Sequence, residues 1–567
     1  MRIFSLAILV IVLNSTVAWL TNLPQDVGAD VPNGKLNSLS FAPYHEGQSP
    51  LDEIFPSVEQ IDADLQLMAQ KTHTIRTYAS AEGNMPAIPA LAKKHGLQMI
   101  QGAWLGSTKA DTRREVDSLI QAANQYPDVI KRVIVGNEVL LRGELDVDEI
   151  ISYIREVKQA IKQPVSYADV WSMYMKNPQL IKEVDFITIH ILPYWEDEPI
   201  SVDDAPGHIE RIYKHVRQEA DSIAPGKAIL IGESGWPSHG RQRGWSLPSV
   251  VNEAKFIRSL IKVANDNGFD CNIVEAINQS WKSELEGVVG ANWGLYTIDR
   301  KEVFPLTGKV YENPEWFKGL LAATLLMLLL VGVFRQPLAK LANTQLVIFL
   351  VLSQVFCSLL ITQINDLWYV SFFTWQRLQT LFIISFNVVI GAYMLQRAYD
   401  QLSQKTANRQ LGLRLYSLYF IVVAFAVLKS LALALDGRYL SFPSIATYIP
   451  VLGIAVLMLM QYFSAYRSIE LNAVFGLVSN HNPWHKRAAI LLTFMAIDLV
   501  IAEALGFFIS RDFIQSYPNE LERLRWSLIY TFSNGQLLEW LFYLLVLALP
   551  LWQEGQRKAP QLRLNEN

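Results

Sequence analysis

The hydropathy of the chain breaks sharply near Phe317, and no other feature constrains its fold as much. Beyond that point apolar runs recur, each about 18–23 residues long, enough for a helix to cross a bilayer. Seven spans are predicted, over about 318–334, 344–364, 378–396, 415–435, 445–464, 488–510 and 527–550. Before the break, residues 24–315 have the composition of a soluble domain, and a chain of 567 residues exceeds one compact core. An eighth apolar run, Ile3–Leu13, follows Met1-Arg2. It reads as an anchor extending to Leu20, or as a signal peptide with a small-residue cleavage site near Thr16-Val17-Ala18. The expected organisation is a signal-anchor or signal peptide over 1–20, a soluble domain over 24–315, a transmembrane helical region over 316–552 and a tail over 553–567.

Loop charge gives the expected orientation. Loops 335–343, 397–414 and 465–487 and the tail from Gln553 carry 2, 4, 3 and 3 Lys/Arg. The opposite loops carry Arg377, Arg438, Arg511, Arg523 and Arg525. By the positive-inside rule the tail faces the cytoplasm and the soluble domain lies outside it; a periplasmic or other extracytoplasmic place at an inner (cell) membrane suits that topology. The two cysteines, Cys271 and Cys357, fall in different regions, so an internal disulfide is not expected. A net charge of −4 with no basic stripe speaks against nucleic acid as a partner.

Within 24–315, β-rich runs alternate with helical patterns. Strands are predicted at Leu39–Pro43, Thr74–Tyr78, Gln98–Trp104, Arg132–Glu138, Val165–Asp169, Phe186–Ile191, Ala228–Glu233 and Ile273–Gln279. Helices are predicted at Ser57–Lys71, Thr112–Ala123, Val147–Lys162, Ile209–Ala220 and Ser249–Asn267. Ser57 with Gln60 has capping-box spacing, and Asp146 precedes the helix at 147. Eight alternations over this length suit an α/β fold, a (β/α)8 TIM barrel, followed by an all-α bundle of about seven transmembrane helices. No Gly-rich phosphate fingerprint follows the first strand, which argues against a dinucleotide fold.

Two glutamates sit in matching settings. Glu138 ends Val135-Gly136-Asn137-Glu138, and Glu233 lies in Ile231-Gly232-Glu233-Ser234-Gly235-Trp236-Pro237-Ser238. Each closes a β-branched run at turn-forming residues, as when a strand delivers a carboxylate to the C-terminal mouth of a barrel. On the expected count they end strands four and seven, opposite one another. A pair about 5 Å apart is the equipment for cleaving a glycosidic bond with retention. Glu138 is the better acid/base, because the amide of Asn137 before it can bond a sugar 2-hydroxyl. Glu233 is the better nucleophile, with a sharp turn at Ser234-Gly235 and the apolar face of Trp236 beside it. No His/Cys/Asp cluster has zinc spacing, so no metal and no cofactor is expected.

The segments Val135–Leu140 and Gly232–Ser238 closely resemble the two signatures of glycoside hydrolase family 17, the β-1,3-glucanase family, over about residues 37–312. The resemblance implies a (β/α)8 barrel with the acid on strand four and the nucleophile on strand seven. Arg76-Thr77-Tyr78 looks like the family's Arg-x-Tyr, which implies Tyr78 near the sugar and Arg76 in support. Asn278-Gln279-Ser280-Trp281-Lys282, then Glu286 and Trp293-Gly294-Leu295-Tyr296, resembles the stretch after strand eight. It implies Lys282 and Glu286 as supporting partners and Trp281 as a stacking surface. The segment His190–Trp195 matches only partly, since Leu192 stands where plant members carry a tyrosine. Tyr194 or His190 is then expected to supply the polar contact and Trp195 a further stacking surface, and His190 reads as a hydrogen-bonded barrel histidine.

Polar residues within the spans include Asn387, Lys429, Asp498, Glu503, Asn534 and Glu539. Intramembrane charges face a bundle interior by default, so Lys429 is expected to lock onto Asp498 or Glu503. Glu522-Arg523-Leu524-Arg525-Trp526 superficially resembles an element of processive glycosyltransferases, but no cytosolic loop is long enough for a nucleotide-sugar domain. Chain synthesis would then fall to a separate glucan synthase as partner. The expected function is a membrane-anchored, retaining, endo-1,3-β-glucanase-like enzyme whose partners are β-glucan and membrane lipid. The whole arrangement resembles bacterial membrane proteins of β-(1,3)/β-(1,6)-glucan synthesis, which implies a glucanosyltransferase as the alternative. A non-catalytic glucan-binding or export module is the third reading.

Overall fold

The computed structural model describes residues 2–464, 467–478 and 482–556. The chain divides into two compact units, Pro24–Glu312 on one hand and Met1–Leu23 with Asn313–Asn567 on the other.

In the first unit eight parallel strands close into a barrel in sequence order. They are β1 (Leu36–Ser40), β2 (Thr72–Arg76), β3 (Gln98–Ala103), β4 (Ile130–Asn137), β5 (Val165–Val170), β6 (Ile187–His190), β7 (Ile229–Ser234) and β8 (Asp270–Ile273). Parallel neighbours need crossovers, and the amphipathic helices between them supply these. The helix Val58–Met68 starts at a complete capping box of Ser57 and Gln60, and Val147–Ala160 at one of Asp146 and Glu149. The helices' apolar stripes and the outward strand residues form one large core, including Ile61, Leu65, Val116, Val133, Ile154, Ile231 and Ile257. A smaller cluster, Ile100, Ile134, Ala168, Phe186 and Leu230, packs separately.

The predicted strands are present with shifted ends, and β8 departs most. It ends at Ile273, where the sequence reading begins its eighth strand. The apolar segment after it pairs with the chain around Trp293–Tyr296: Glu275 N donates to Trp293 O at 2.9 Å and Asn278 N to Tyr296 O at 2.8 Å. Alternation alone could not separate this flap from the strand it extends. The register slips on β4 between Ile134 and Asn137, beside β6 between Ile189 and His190, and on β7 between Ile231 and Ser234. Such irregularities re-aim side chains at barrel rims.

The second unit is helical. Among the described residues, eight helices are long and apolar enough to cross a membrane: Arg2–Thr21, Trp316–Val333, Asn343–Tyr369, Thr374–Leu402, Arg409–Leu435, Ser444–Tyr462, Pro483–Phe508 and Gly535–Gly555. Ala7 and Val10 of the first pack in one core with Ala323, Met327, Leu346 and Leu350. The predicted span 527–550 needs correction. Helix Glu520–Phe532 ends before Ser533, and Asn534 caps a new helix by accepting from Leu537 N at 3.1 Å. That second helix runs on to Gly555.

The predicted lock at Lys429 is also overturned. Its ammonium lies 5.7 Å from the centroid of the Phe425 ring, and among the described residues it forms no ion pair with Asp498 or Glu503. Arg397, counted above as a loop charge, is a buried helix residue whose Nε donates to Val474 O at 2.9 Å. Positions 557–567 of the expected tail, and 465–466 and 479–481 of one charged loop, lie outside the described residues.

Candidate active site

Glu138 follows β4 directly and caps the short helix Val139–Arg142 in a left-handed conformation, φ 54° and ψ 28°. A non-glycine residue there costs energy and persists only when its surroundings fix it. The fixing is visible. Glu138 N donates to Ala168 O at 2.8 Å, and Leu140 N donates to the Tyr167 hydroxyl at 2.9 Å. That hydroxyl donates in turn to Asp169, and Arg142 donates to Asn137 O. Gly136, at φ 87°, leaves room for the turn, since a Cβ there would lie 3.0 Å from Val139 and 3.3 Å from the Tyr167 ring.

Glu233 is the penultimate residue of β7. The strand can carry it because Gly232 has no side chain: a Cβ would lie 2.4 Å from Thr188 Cγ2. Arg76, at the end of β2 and 1% exposed, donates through Nη1 to Glu233 Oε1 at 3.0 Å and to Gly232 O at 2.7 Å. Its Nη2 donates to Asn137 Oδ1 at 2.6 Å. One buried guanidinium therefore ties β2, β4 and β7 together, and it leaves the Asn137 amide hydrogens as donors for a ligand.

His190, at the end of β6, lies between the two glutamates. Its Nδ1 is 2.8 Å from Glu138 Oε1 and its Nε2 is 3.6 Å from Glu233 Oε1. An oxygen of Glu138, a nitrogen of His190 and an oxygen of Glu233 all fall within 4.8 Å of one another. Sequence spacing could not show this cluster, because three different strand ends supply it. The trio has the donor atoms for a metal ion, yet Arg76 and the nearby Lys282 already place positive charge against Glu233, which opposes a second cation there.

Burial by itself would push the Glu233 carboxyl up. His190, Arg76 and Lys282 together outweigh it, and its pKa falls below the ordinary carboxylate value. Tyr78 is pushed well up by burial and by the Glu233 charge, so its hydroxyl stays protonated and donates to Ser40 Oγ at 2.9 Å. Asn272 supports that hydroxyl from below, donating to Ser40 Oγ at 2.8 Å and to Gly232 O at 3.0 Å. Asp169 is raised to about 6, by burial first and by the Glu138 charge.

Lys282 does not pair with Glu286. Its ammonium donates to Glu275 Oε2 at 2.8 Å, and Glu275 is 1% exposed. Glu286 interacts with Lys282 only at longer range, and burial raises it to about 7. Glu275 is the residue the sequence reading missed. Its signal was an acid inside the apolar run Ile273–Ile277, where a charge needs a buried partner.

Two expected ligand contacts are corrected. Tyr194 is fully buried, its hydroxyl donates to Arg241 O at 2.6 Å, and its ring packs on Trp195 at 5.0 Å. His190, the other residue expected there, faces both glutamates. Trp236 is also fully buried, with its Nε1 donating to Leu247 O at 3.0 Å, so its face belongs to the wall and not to a ligand. Trp195 is half-buried and stacked on Trp293 at 6.3 Å. Trp281 is half-buried, edge-on to Tyr44 at 6.0 Å, with Nε1 donating to Gln279 Oε1 at 2.9 Å.

Residues 38–294 match the family model of the BtgE/BtgC glycoside hydrolase domain. A glucan 1,3-beta-glucosidase of Arthroderma benhamiae is 29% identical over 278 residues, covering 45% of this chain and 88% of the relative. One of Schizosaccharomyces pombe is 28% identical over 257 residues, covering 42% and 78%. Among solved structures, the glycoside hydrolase family 17 beta-1,3-glucanosyltransferase of Rhizomucor miehei aligns with TM-score 0.42 and 24% identity, over 48% of this chain and 96% of that one. The matched residues include both Glu138 and Glu233, and the barrel is similar to the BtgE/BtgC glycoside hydrolase domain and to glucan 1,3-beta-glucosidases.

Proposed function

We propose that the barrel cleaves β-1,3-linked glucan by double displacement. The observation that carries this reading is the Glu138–Glu233 pair, whose oxygens lie within 4.8 Å of one another at a barrel mouth. The spacing fits the roughly 5 Å of retaining glycosidases, while an inverting pair leaves room for a water between. The relatives named as glucan 1,3-beta-glucosidases supply the substrate class.

Glu233, held ionised by Arg76, His190 and Lys282, attacks the anomeric carbon. The bond to the leaving oxygen breaks as Glu138 delivers its proton, giving a glycosyl ester on Glu233 and a free hydroxyl on the departing sugar. Glu138, now a carboxylate, takes a proton from the incoming hydroxyl, which displaces Glu233 and restores both groups. The Asn137 amide is placed to bond the 2-hydroxyl, a contact that strengthens in the transition state. His190 orients the Glu138 carboxyl through its Oε1. Water as the incoming group gives hydrolysis, and a sugar hydroxyl gives transfer.

The helical unit holds the enzyme in a membrane, with the barrel outside the cytoplasm as the loop charges suggest. The test is full-length protein in detergent, incubated with laminari-oligosaccharides and followed by mass spectrometry and NMR. The expected products are shorter chains, or shorter and longer chains together, whose first-formed anomer is β. Absence of turnover from folded protein, or a first product of the α anomer, overturns the reading.

A further inference from the structure

Trp104 stands directly after β3, at the mouth, and is 36% exposed although it belongs to a tightly held corner. Its backbone N donates to Glu115 Oε2 at 3.1 Å, and that nearly buried carboxylate also accepts from Ser80 N at 2.7 Å and Ala81 N at 2.8 Å. One face of its indole is covered by the Arg142 guanidinium, 4.3 Å from the ring centroid. Arg142 is fixed independently. Its Nη2 donates to Leu105 O at 2.9 Å and to Glu144 Oε2 at 2.8 Å, and its Nη1 donates to Asn137 O, the carbonyl joined to Glu138. Two other tryptophans after strand ends, Trp195 and Trp281, are more enclosed. Trp195 stacks on Trp293 and Trp281 abuts Tyr44.

The geometry points to Trp104, backed by Arg142, as the wall against which a sugar stacks on the leaving-group side of the scissile bond. The side follows from the wiring, and rests on the proposed roles of the two glutamates. Glu233 lies under the sugar that stays, Glu138 under the oxygen that leaves, and Trp104 is tied to Glu138 through Arg142 and Asn137. A pyranose carries a flat C–H face that packs on an aromatic ring, and a ring held from behind loses little freedom when it is covered. Because the leaving sugar and an accepting sugar use the same place in opposite directions, this wall also receives the acceptor in transfer. Trp104 is thus a specificity-determining residue for a glucosyl unit beyond the cleavage point.

The experiment compares two donors on full-length protein in detergent. Laminaritetraose places a sugar against the wall, whereas β-laminaribiosyl fluoride leaves only fluoride there. For Trp104→Ala, kcat/KM on laminaritetraose is expected to fall roughly tenfold relative to the value on the fluoride, and Trp104→Phe to recover most of the loss. Thermal unfolding of each variant checks the fold. An unchanged ratio in folded Trp104→Ala overturns the subsite and leaves the cleavage reading standing. A wild type that consumes neither donor overturns the cleavage reading, and the subsite with it.

Discussion

The two units bury charge for different ends. In the barrel, Arg76, His190 and Lys282 converge from separate elements on the Glu233 carboxylate, with Glu275 paired to Lys282, and the balance of burial against opposite charge sets its ionisation. In the helical unit the buried charges hold backbone. The Glu554 carboxylate accepts from Asn472 N at 3.2 Å and from its side chain at 2.9 Å, at the start of the short helix Leu471–Phe475. Arg397 donates to Ala473 O and Val474 O at the same helix's end. A carboxylate on the N-terminus and a guanidinium on the C-terminus complement the helix dipole and fill its unpaired groups. Asn387 acts similarly: it donates at 3.1 Å to Ala446 O, the carbonyl that Pro450 leaves without its helical partner. Buried charges in one unit meet around a carboxylate at the barrel mouth, and in the other they replace missing backbone bonds.

Substitutions can break this contrast, and the largest effect belongs to the nucleophile. Glu233→Gln should lower turnover of laminari-oligosaccharides by at least about 10⁴-fold while thermal unfolding of the barrel stays near wild type. Glu138→Gln should cost about 10²–10⁴-fold on oligosaccharides and much less on a glycosyl fluoride, whose leaving group needs no proton. In the helical unit, Arg397→Leu should destabilise by about 1–3 kcal/mol through the two carbonyls it strands, with barrel turnover unchanged. Loss of turnover at full stability there would erase the distinction between the units.

Smaller effects sharpen the electrostatics. Lys282→Met removes a cation that helps hold the Glu233 pKa low, so that pKa rises and the acid limb of kcat/KM moves to higher pH. An unmoved limb would remove Lys282 from the balance. Glu286 binds its proton more tightly folded, at about 7, than at its ordinary 4.5. The unfolded chain therefore holds fewer protons between those values, and this group's contribution to stability falls as pH rises through that window. Glu286→Gln should flatten the thermal midpoint across it. The smallest effect is expected for Lys429→Ala, within about 0.5 kcal/mol, because the contact it loses is a distant one to the Phe425 ring.

Much of the barrel was legible because each strand is a short β-branched run closed by turn residues, and Ser57-x-x-Gln60 and Asp146-x-x-Glu149 announce helix starts. The opposition of Glu138 and Glu233 followed from strand order alone. What escaped depends on the third dimension. Whether Trp236 and Tyr194 face a ligand or the wall is set by packing with Phe256 and Trp293, which no local pattern encodes. Glu275 was hidden in a run mistaken for strand, and the Trp104–Arg142 stack joins residues from the ends of β3 and β4. In the helical unit, span existence was readable from hydropathy, whereas the break at Asn534 is a cap inside an apolar stretch and the partner of Lys429 was only a guess from composition.

The central claim is that Glu233 forms a covalent bond to the sugar. Full-length protein treated with a 2-deoxy-2-fluoro-β-laminaribiosyl fluoride should accumulate the glycosyl ester, since the fluorine slows its breakdown more than it prevents its formation. After proteolysis, mass spectrometry should find one fluorosugar unit on the peptide containing Glu233, and none in Glu233→Gln. A label on any other residue, or an unlabelled enzyme that releases the inverted sugar, would contradict the account.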